Sequence, residues 1–400
     1  MIKVLYLTYD GLLEPLGKSQ VLSYLEFLSK EHEIYVLSFE KKSDWRESSN
    51  LLKTRSRCDK AGISWSSAFY HKSFLGTLYD ITAGIFFGIY ITYKFKVNIL
   101  HARSYLPSLI ALVIKKLFGV KFIFDMRGLW ADEKIDSGIW KENGILYKTT
   151  KRLEKLFLLK ADRVVSLTDS AVKEIKSFSY LKGKEINFSV IRTCTDLELF
   201  TPVEASIKSS KSFRLGYVGS VSLWYLFEET LKFFEFFNKE ITNSKLHIIN
   251  KNEHEYINNL LTQYPSLKKN IILESLDHKE VAHCMKQMDA GIFFIKPFYS
   301  KKASSPTKLG EFLATGLPCI TNKGIGDMDT ILKAEKVGIT LENFSNESIE
   351  KGIIDLLALK EEETLSKRCR NTARRYFSLE KGAKEYSKIY KSFSFEEKKS

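Results

Sequence analysis

Ile2-Lys3-Val4-Leu5-Tyr6-Leu7-Thr8 is a short apolar run, and the loop after it carries Gly11, Pro15 and Gly17. Val21, Leu22, Leu25 and Leu28 then recur at helical spacing over residues 19–30, and a second apolar run covers 34–39. Strand, helix and strand with glycine in the first turn make a βαβ unit. The pattern repeats: a strand at 99–101, a helix at 107–117, a strand at 121–125, a long helix to about 159, a strand at 163–167, a helix after Asp169 and a strand at 188–191. Such alternation predicts a parallel sheet covered by helices on both faces.

Over residues 192–211 the alternation lapses into small and polar residues, which marks a domain boundary. It restarts with strands at 214–218, 245–249, 270–273, 290–294 and 318–321 between helices at 226–238, 254–263, 278–287, 306–315 and 327–333. Closing helices are expected at 346–359 and 364–390, with a frayed tail at 392–400. The division predicted is 1–200, 201–375 and a last helix at 376–400 that packs back on the first domain. Two Rossmann-like α/β domains facing one another would form a cleft at the carboxyl ends of their strands, where such sheets bind ligands.

Four hundred residues suit two cores. A formal charge of +14 favours acidic partners such as an anionic membrane face or a phosphorylated small molecule. It is read equally well as compositional bias, and no nucleic-acid motif accompanies it. Cys58, Cys194, Cys284, Cys319 and Cys369 lie far apart with no CxxC or Cys/His spacing, so neither a disulfide framework nor a metal site is expected. A reducing, cytoplasmic compartment fits best. The opening residues are too short and unflanked for a signal peptide. The longest apolar stretch, 74–93, contains Asp80 and reads as a buried or interfacial helix.

Chemistry concentrates in Ala303-Ser304-Ser305-Pro306-Thr307-Lys308-Leu309-Gly310-Glu311-Phe312-Leu313-Ala314-Thr315-Gly316-Leu317-Pro318. Ser305 suits an N-cap, Pro306 the first helical position and Gly316 the C′ position. The helix start would offer backbone N–H groups to an anion. Ser304, Ser305 and Thr307 add hydroxyls, Lys308 adds a cation, and Glu311 is placed to take paired ribose hydroxyls. On residues alone, an ordinary capped helix explains the pattern equally well.

The segment resembles the donor-binding signature of GT-B-fold retaining glycosyltransferases, in particular glycosyltransferase family 4. Asp10–Gln20, His101–Pro107, Asp125–Glu133 and Gly216–Ser220 resemble the branch of that family acting in bacterial surface-polysaccharide assembly. The ending Tyr376-Phe377-Ser378-Leu379-Glu380, with Tyr386 and Tyr390, is similar to the family's final crossover helix. The resemblance implies a nucleotide-sugar donor held by the second domain and a glycan or lipid-linked glycan acceptor on the first, with no cofactor. The donor residues it implies are Gly17, Gly219, Ser220, Ser304, Ser305, Pro306, Thr307, Lys308 and Glu311. Asp125, Arg127 and Arg103 are the catalytic candidates, and a strand-end ion pair is the rival reading of the first two.

The family pattern is broken in three places. Its first glutamate falls on Ala303, its basic pair falls near Ser220 and Leu226, and its first-domain histidine is replaced by Arg127. A sugar-nucleotide epimerase and a non-catalytic binding relative therefore stay open. Gly17-Lys18-Ser19 fails as a P-loop because position 12 is Leu. Asp327-Met328-Asp329 is read as a helix N-cap rather than a metal motif. The basic charge and the aromatic 69–93 region lead to a further expectation, peripheral contact with an anionic membrane; first-domain core is its equal rival.

Overall fold

The structure, a computed structural model, describes residues 1–202, 212–241 and 243–396. Residues 203–211 of the expected boundary, and 397–400 of the expected tail, lie outside the described residues. The chain divides into two units, Met1–Arg192 with Leu379–Ser400, and Thr193–Ser378.

The first unit is built on seven parallel strands. They are β1 (Lys3–Thr8), β2 (Glu33–Glu40), β3 (Ser64–Phe69), β4 (Ile99–Arg103), β5 (Lys121–Asp125), β6 (Arg163–Ser166) and β7 (Phe188–Val190), in sheet order β3-β2-β1-β4-β5-β6-β7. The order reverses between β1 and β4, which places a topological switch point at their carboxyl ends. β1, β4 and β5 are buried along nearly their whole length, as strands covered on both faces must be.

The second unit has β8 (Phe213–Val218), β9 (Ser244–Ile249), β10 (Ile271–Glu274), β11 (Ala290–Ile292), β12 (Cys319–Asn322) and β13 (Gly338–Leu341). All pair in parallel, in the order β10-β9-β8-β11-β12-β13, with a switch point between β8 and β11. Phe227, Phe233, Phe234 and Phe237 of the helix Phe227–Glu240 fill one face of its core.

Several elements differ from expectation. Lys42–Arg46 and Ser48–Lys60 are helices, and β3 and β13 complete the two sheets. The first helix begins at Pro15 and passes through a π turn at Lys18–Leu22. The long helix before β6 is two helices, Trp130–Asp136 and Ile145–Lys160. The last helical stretch is likewise broken into Leu365–Tyr376 and Leu379–Glu396, so residues 392–396 are helical rather than frayed.

Phe74–Phe95 is a helix long and apolar enough to cross a membrane by length and composition. Gly84 and Gly88 let it press against Ile110 and Ile114, since a Cβ at either would lie about 2.5 Å from an isoleucine methyl. Asp80 is buried, accepting from Tyr9 (2.6 Å) and from the His71 amide (2.9 Å). The opposite face, with Phe74, Leu75, Tyr79, Phe86, Tyr90 and Tyr93, is exposed, so these aromatics are not the core that the rival reading required.

Candidate functional site

In the second unit, β8 is followed by Gly219, whose φ of +104° is in the region that favours glycine. The loop Ser220–Ser222 then closes around Glu253. That carboxylate accepts from the Ser220 and Ser222 hydroxyls, the Val221 amide (3.0 Å) and the Ser222 amide (3.2 Å). Asn250 joins it, donating to Glu253 (2.8 Å) and to the Gly219 carbonyl (3.1 Å). Burial opposes ionisation of Glu253, but the hydrogen bonds outweigh it and hold its pKa down to about 2. Ser220, expected as a donor ligand, thus spends its hydroxyl on Glu253. Leu223, at φ +57°, carries backbone strain in the same loop.

The helix expected at 306–315 is Thr307–Ala314, with Pro306 in the N-cap position and no capping side chain. Ser305 is therefore not the N-cap: its Oγ accepts from the Thr193 amide (3.3 Å) instead. The Ser304 amide closes the preceding 3₁₀ turn on the Lys301 carbonyl (3.0 Å). Gly316 does stand at C′, with φ +81° and the Leu317 amide bonded back to Phe312 (3.0 Å), the Schellman arrangement. With no side chain capping the start, the first-turn amides keep the anion-binding character of a helix N-terminus.

Lys308 is the unusual member. Its side chain turns inward, is 7% exposed, and its Nζ makes no hydrogen bond among the described residues. Nζ lies 3.9 Å from the centre of the Tyr225 ring, 4.9 Å from Tyr217 and 5.3 Å from Phe293. A Cβ on Gly219 would sit 3.2 Å from it, so the glycine is what lets β8 pass this close. Burial lowers its pKa to about 7, against the weaker pull of Glu311 and Glu253. Ring faces favour a cation but accept no strong hydrogen bond, so the amine still lacks a true partner.

Glu311, one turn further, is nearly buried and faces His278 (Oε1–Nε2 3.3 Å). That bond raises the His278 pKa, against partial burial. Glu253 and His278 lie 55 and 33 residues from Lys308 and Glu311, so no local pattern pointed to them. Asp327 precedes the helix Met328–Glu335 in the N-cap position, but its side chain does not cap it.

In the first unit, the strand ends of β4 and β5 gather a charge cluster. Asp125 is fully buried and accepts from Tyr386 OH (3.0 Å), with His101 Nε2 at 3.5 Å and Arg127 Nη1 at 3.9 Å. His101 Nδ1 meets Tyr390 OH at 2.6 Å. Both tyrosines belong to the helix Leu379–Glu396. Burial opposes the Asp125 charge, yet Arg127, His101 and Arg103 hold its pKa below the ordinary value; burial lowers that of His101. Arg103 is buried too, donating to Asp10 (2.9 Å). Asp125, Arg127 and Arg103 are thus brought together. Asp125, however, is fully buried beneath Tyr386, an arrangement that fits the strand-end ion-pair reading.

Ser104 (φ +71°) and Arg127 (φ +59°) are strained where they leave β4 and β5. Gly17 has a local reason for being glycine, because a Cβ there would lie 1.8 Å from the Gly11 carbonyl oxygen. Glu40 fixes the same loop by accepting from the Leu12 (2.8 Å) and Leu13 (3.1 Å) amides. These contacts hold the loop folded on itself.

Two parallel-sheet, Rossmann-like α/β domains are the GT-B architecture, and solved GT-B structures match over nearly the whole chain. Sucrose-phosphate synthase from Thermosynechococcus elongatus aligns with a TM-score of 0.71 at 14% identity, covering 98% of this chain and 99% of that one. HepE from Anabaena, in complex with UDP and glucose, aligns with 0.69 at 12% identity, covering 98% and 100%. WaaG, a glycosyltransferase involved in lipopolysaccharide biosynthesis, aligns with 0.64 at 14% identity, covering 95% and 98%. Residues 203–376 match the family model described as glycosyl transferases group 1. That match falls on the second unit and supports a glycosyltransferase. No curated protein matches the chain in sequence.

Proposed function

We propose that the protein transfers a sugar from a nucleotide-sugar donor, with retention, to a glycan or lipid-linked glycan in bacterial surface-polysaccharide assembly. The observation that carries the donor half is Lys308: a buried amine without a hydrogen-bond acceptor, at an uncapped helix start, one turn from Glu311. A diphosphate oxyanion is the acceptor that this amine lacks. The first-turn amides of Thr307–Ala314 add donors to the same anion, and Glu311 takes the ribose hydroxyls. UDP is the nucleotide class to test first, because HepE is a structural neighbour solved with UDP and glucose.

In the front-face displacement implied by the family resemblance, the bond from the sugar's anomeric carbon to the leaving oxygen breaks as the acceptor oxygen approaches from the same side. The acceptor proton passes to the departing diphosphate, so no strong general base is required. The chain's own work is positioning the donor and stabilising the charge that grows on the leaving phosphate. Lys308 supplies the offsetting positive charge in place of the basic pair missing near Ser220 and Leu226. Asp125 and Arg127 shape the first unit's strand ends, and the acceptor is assigned to that unit. A WaaG-like neighbour supports the polysaccharide setting.

Peripheral, cytoplasmic-face membrane contact belongs to this reading. The exposed face of Phe74–Phe95 borders an apolar groove of about 630 Å³ lined by Phe86, Phe87, Tyr90 and Lys94, suited to a lipid surface where lipid-linked acceptors reside. The test of function is UDP release from UDP-sugars with and without a lipid-linked acceptor. Acceptor-dependent release supports transfer. Epimerised donor without acceptor supports the epimerase alternative, and binding with neither reaction supports a non-catalytic relative.

A further inference from the structure

Away from Lys308, one cavity of the second unit brings together three side chains of metal-ligand type that no sequence spacing joins. In β9, His247 pairs in register with Ile272 of β10. Side chains alternate along a strand, and register partners share a face, so Glu274, two residues past Ile272, projects on the same side as His247. The helix His278–Met285 lies over that side and lowers Cys284 onto the imidazole. His247 Nε2 is 2.7 Å from Glu274 Oε2, and Cys284 Sγ lies 3.5 and 3.6 Å from the two ring nitrogens. All three donor atoms fall within 4.8 Å of one another. His247 and Cys284 are buried, Glu274 is half-exposed, and the trio borders an open cavity of about 540 Å³ that His283 and Glu280 also line.

We propose that His247, Glu274 and Cys284 form a binding site for a divalent, borderline-soft cation of the zinc class. Imidazole, thiolate and carboxylate from three separate elements are a mixed N/O/S donor set, the kind zinc takes. A tetrahedral zinc with bonds of about 2.0–2.3 Å sets its ligands about 3.3–3.8 Å apart. The Sγ–Nε2 spacing is already in that range, but the carboxylate has to withdraw by about half an ångström, and Sγ, now nearly equidistant from both ring nitrogens, has to swing towards the Nε2 lone pair. As the metal enters, the Cys284 thiol proton leaves to solvent while the S–metal bond forms. The 2.7 Å contact with the Glu274 carboxylate places the His247 proton on Nε2, so it shifts to Nδ1 as Nε2 gives its lone pair to the metal. The fourth position faces the cavity and is open to water. The site takes no part in the sugar-transfer step itself. It would pin the edge strand β10 and the helix carrying His278 to β9, so a bound metal would steady the helix whose first residue holds Glu311.

The test uses the full chain, untagged and stripped with EDTA. Titration with cobalt(II) is expected to give a thiolate-to-cobalt charge-transfer band saturating at one equivalent, which zinc(II) abolishes by displacement. Zinc at about 100 times its dissociation constant should raise Tm by on the order of 5–10 °C. Cys284→Ser should lose both the band and the shift while melting like the parent in EDTA. Glu274→Gln, at a half-exposed edge position where misfolding is not expected, should keep the band and bind cobalt at least tenfold more weakly. No saturable band, a band that survives Cys284→Ser, or unchanged affinity in Glu274→Gln would each overturn the assignment.

Discussion

Replacing Lys308 with Met tests the donor site with little change in volume, because the thioether fits among Tyr217, Tyr225 and Phe293 where the lysine stem now lies. Two effects of opposite sign are expected. A hydrogen bond from a charged group to a diphosphate contributes about 1.5–3 kcal/mol, so UDP-glucose affinity should fall roughly ten- to 150-fold. The empty protein should become more stable, because burial that moves the amine's pKa from 10.5 to about 7 costs its charged form on the order of 5 kcal/mol. The pH dependence separates this from ordinary packing. The folded pKa is about 7 against the ordinary lysine value of 10.5, so between these values the unfolded chain binds the extra proton. The parent's stability should therefore rise with pH in that window, by roughly 1.4 kcal/mol per pH unit for this group alone. Below pH 7 the full penalty remains. Urea melts at pH 7, 8 and 9 should show the advantage of Lys308→Met shrinking as pH rises. Binding of UDP-glucose, whose diphosphate does not titrate there, should take up close to one proton at pH 8, read by calorimetry in buffers of different ionisation heat. A pH-independent stability difference, or unimpaired UDP-glucose binding by the variant, would refute the reasoning.

Glu311→Ala should weaken nucleotide binding at least tenfold, and calorimetry showing unchanged affinity would remove it from the ribose site. Asp125→Ala deprives Tyr386, His101 and Arg127 of their shared acceptor, so a loss of about 3–5 kcal/mol is expected, with nucleotide affinity within twofold of the parent. A variant melting like the parent would return Asp125 to direct contact with substrate. The chain should co-sediment with vesicles rich in anionic lipid, less so at high salt, and Phe86→Ser with Phe87→Ser should abolish it; no sedimentation at any salt concentration would end that reading.

Much of the fold was legible because its central strands are continuous apolar runs of the sort only doubly covered parallel sheets need. β3 escaped notice for the converse reason: Ser64-Trp65-Ser66-Ser67-Ala68-Phe69 is an edge strand, half-exposed along its length, with no apolar run to see. The 346–359 helix was visible from its spacing, whereas the break at Phe377-Ser378 was not, because Thr195, far back in the chain, pairs with Ser378 there. The site divides in the same way. The Ser304–Glu311 stretch could be read as an anion-binding helix start because caps and first turns are local chemistry. That Lys308 points inward, that Glu253 occupies the Ser220 loop, and that tyrosines cover Asp125 depend on neighbours supplied by topology. The Cys284 trio was missed for that reason as well: its ligands are 27 and 37 residues from His247.

The two tyrosines over Asp125 and His101 also set a schedule for synthesis. Tyr386 is 261 residues further along the chain than the carboxylate it covers. At about 5–20 residues per second, a ribosome takes roughly 13–50 s to travel from one to the other. During that interval the seven-strand unit can form its sheet, yet its most polar buried pair stays unroofed. The nascent first unit is thus an unfinished substrate for chaperones while the whole second unit is being made, and a chain stalled anywhere before the last helix would carry that defect to its end.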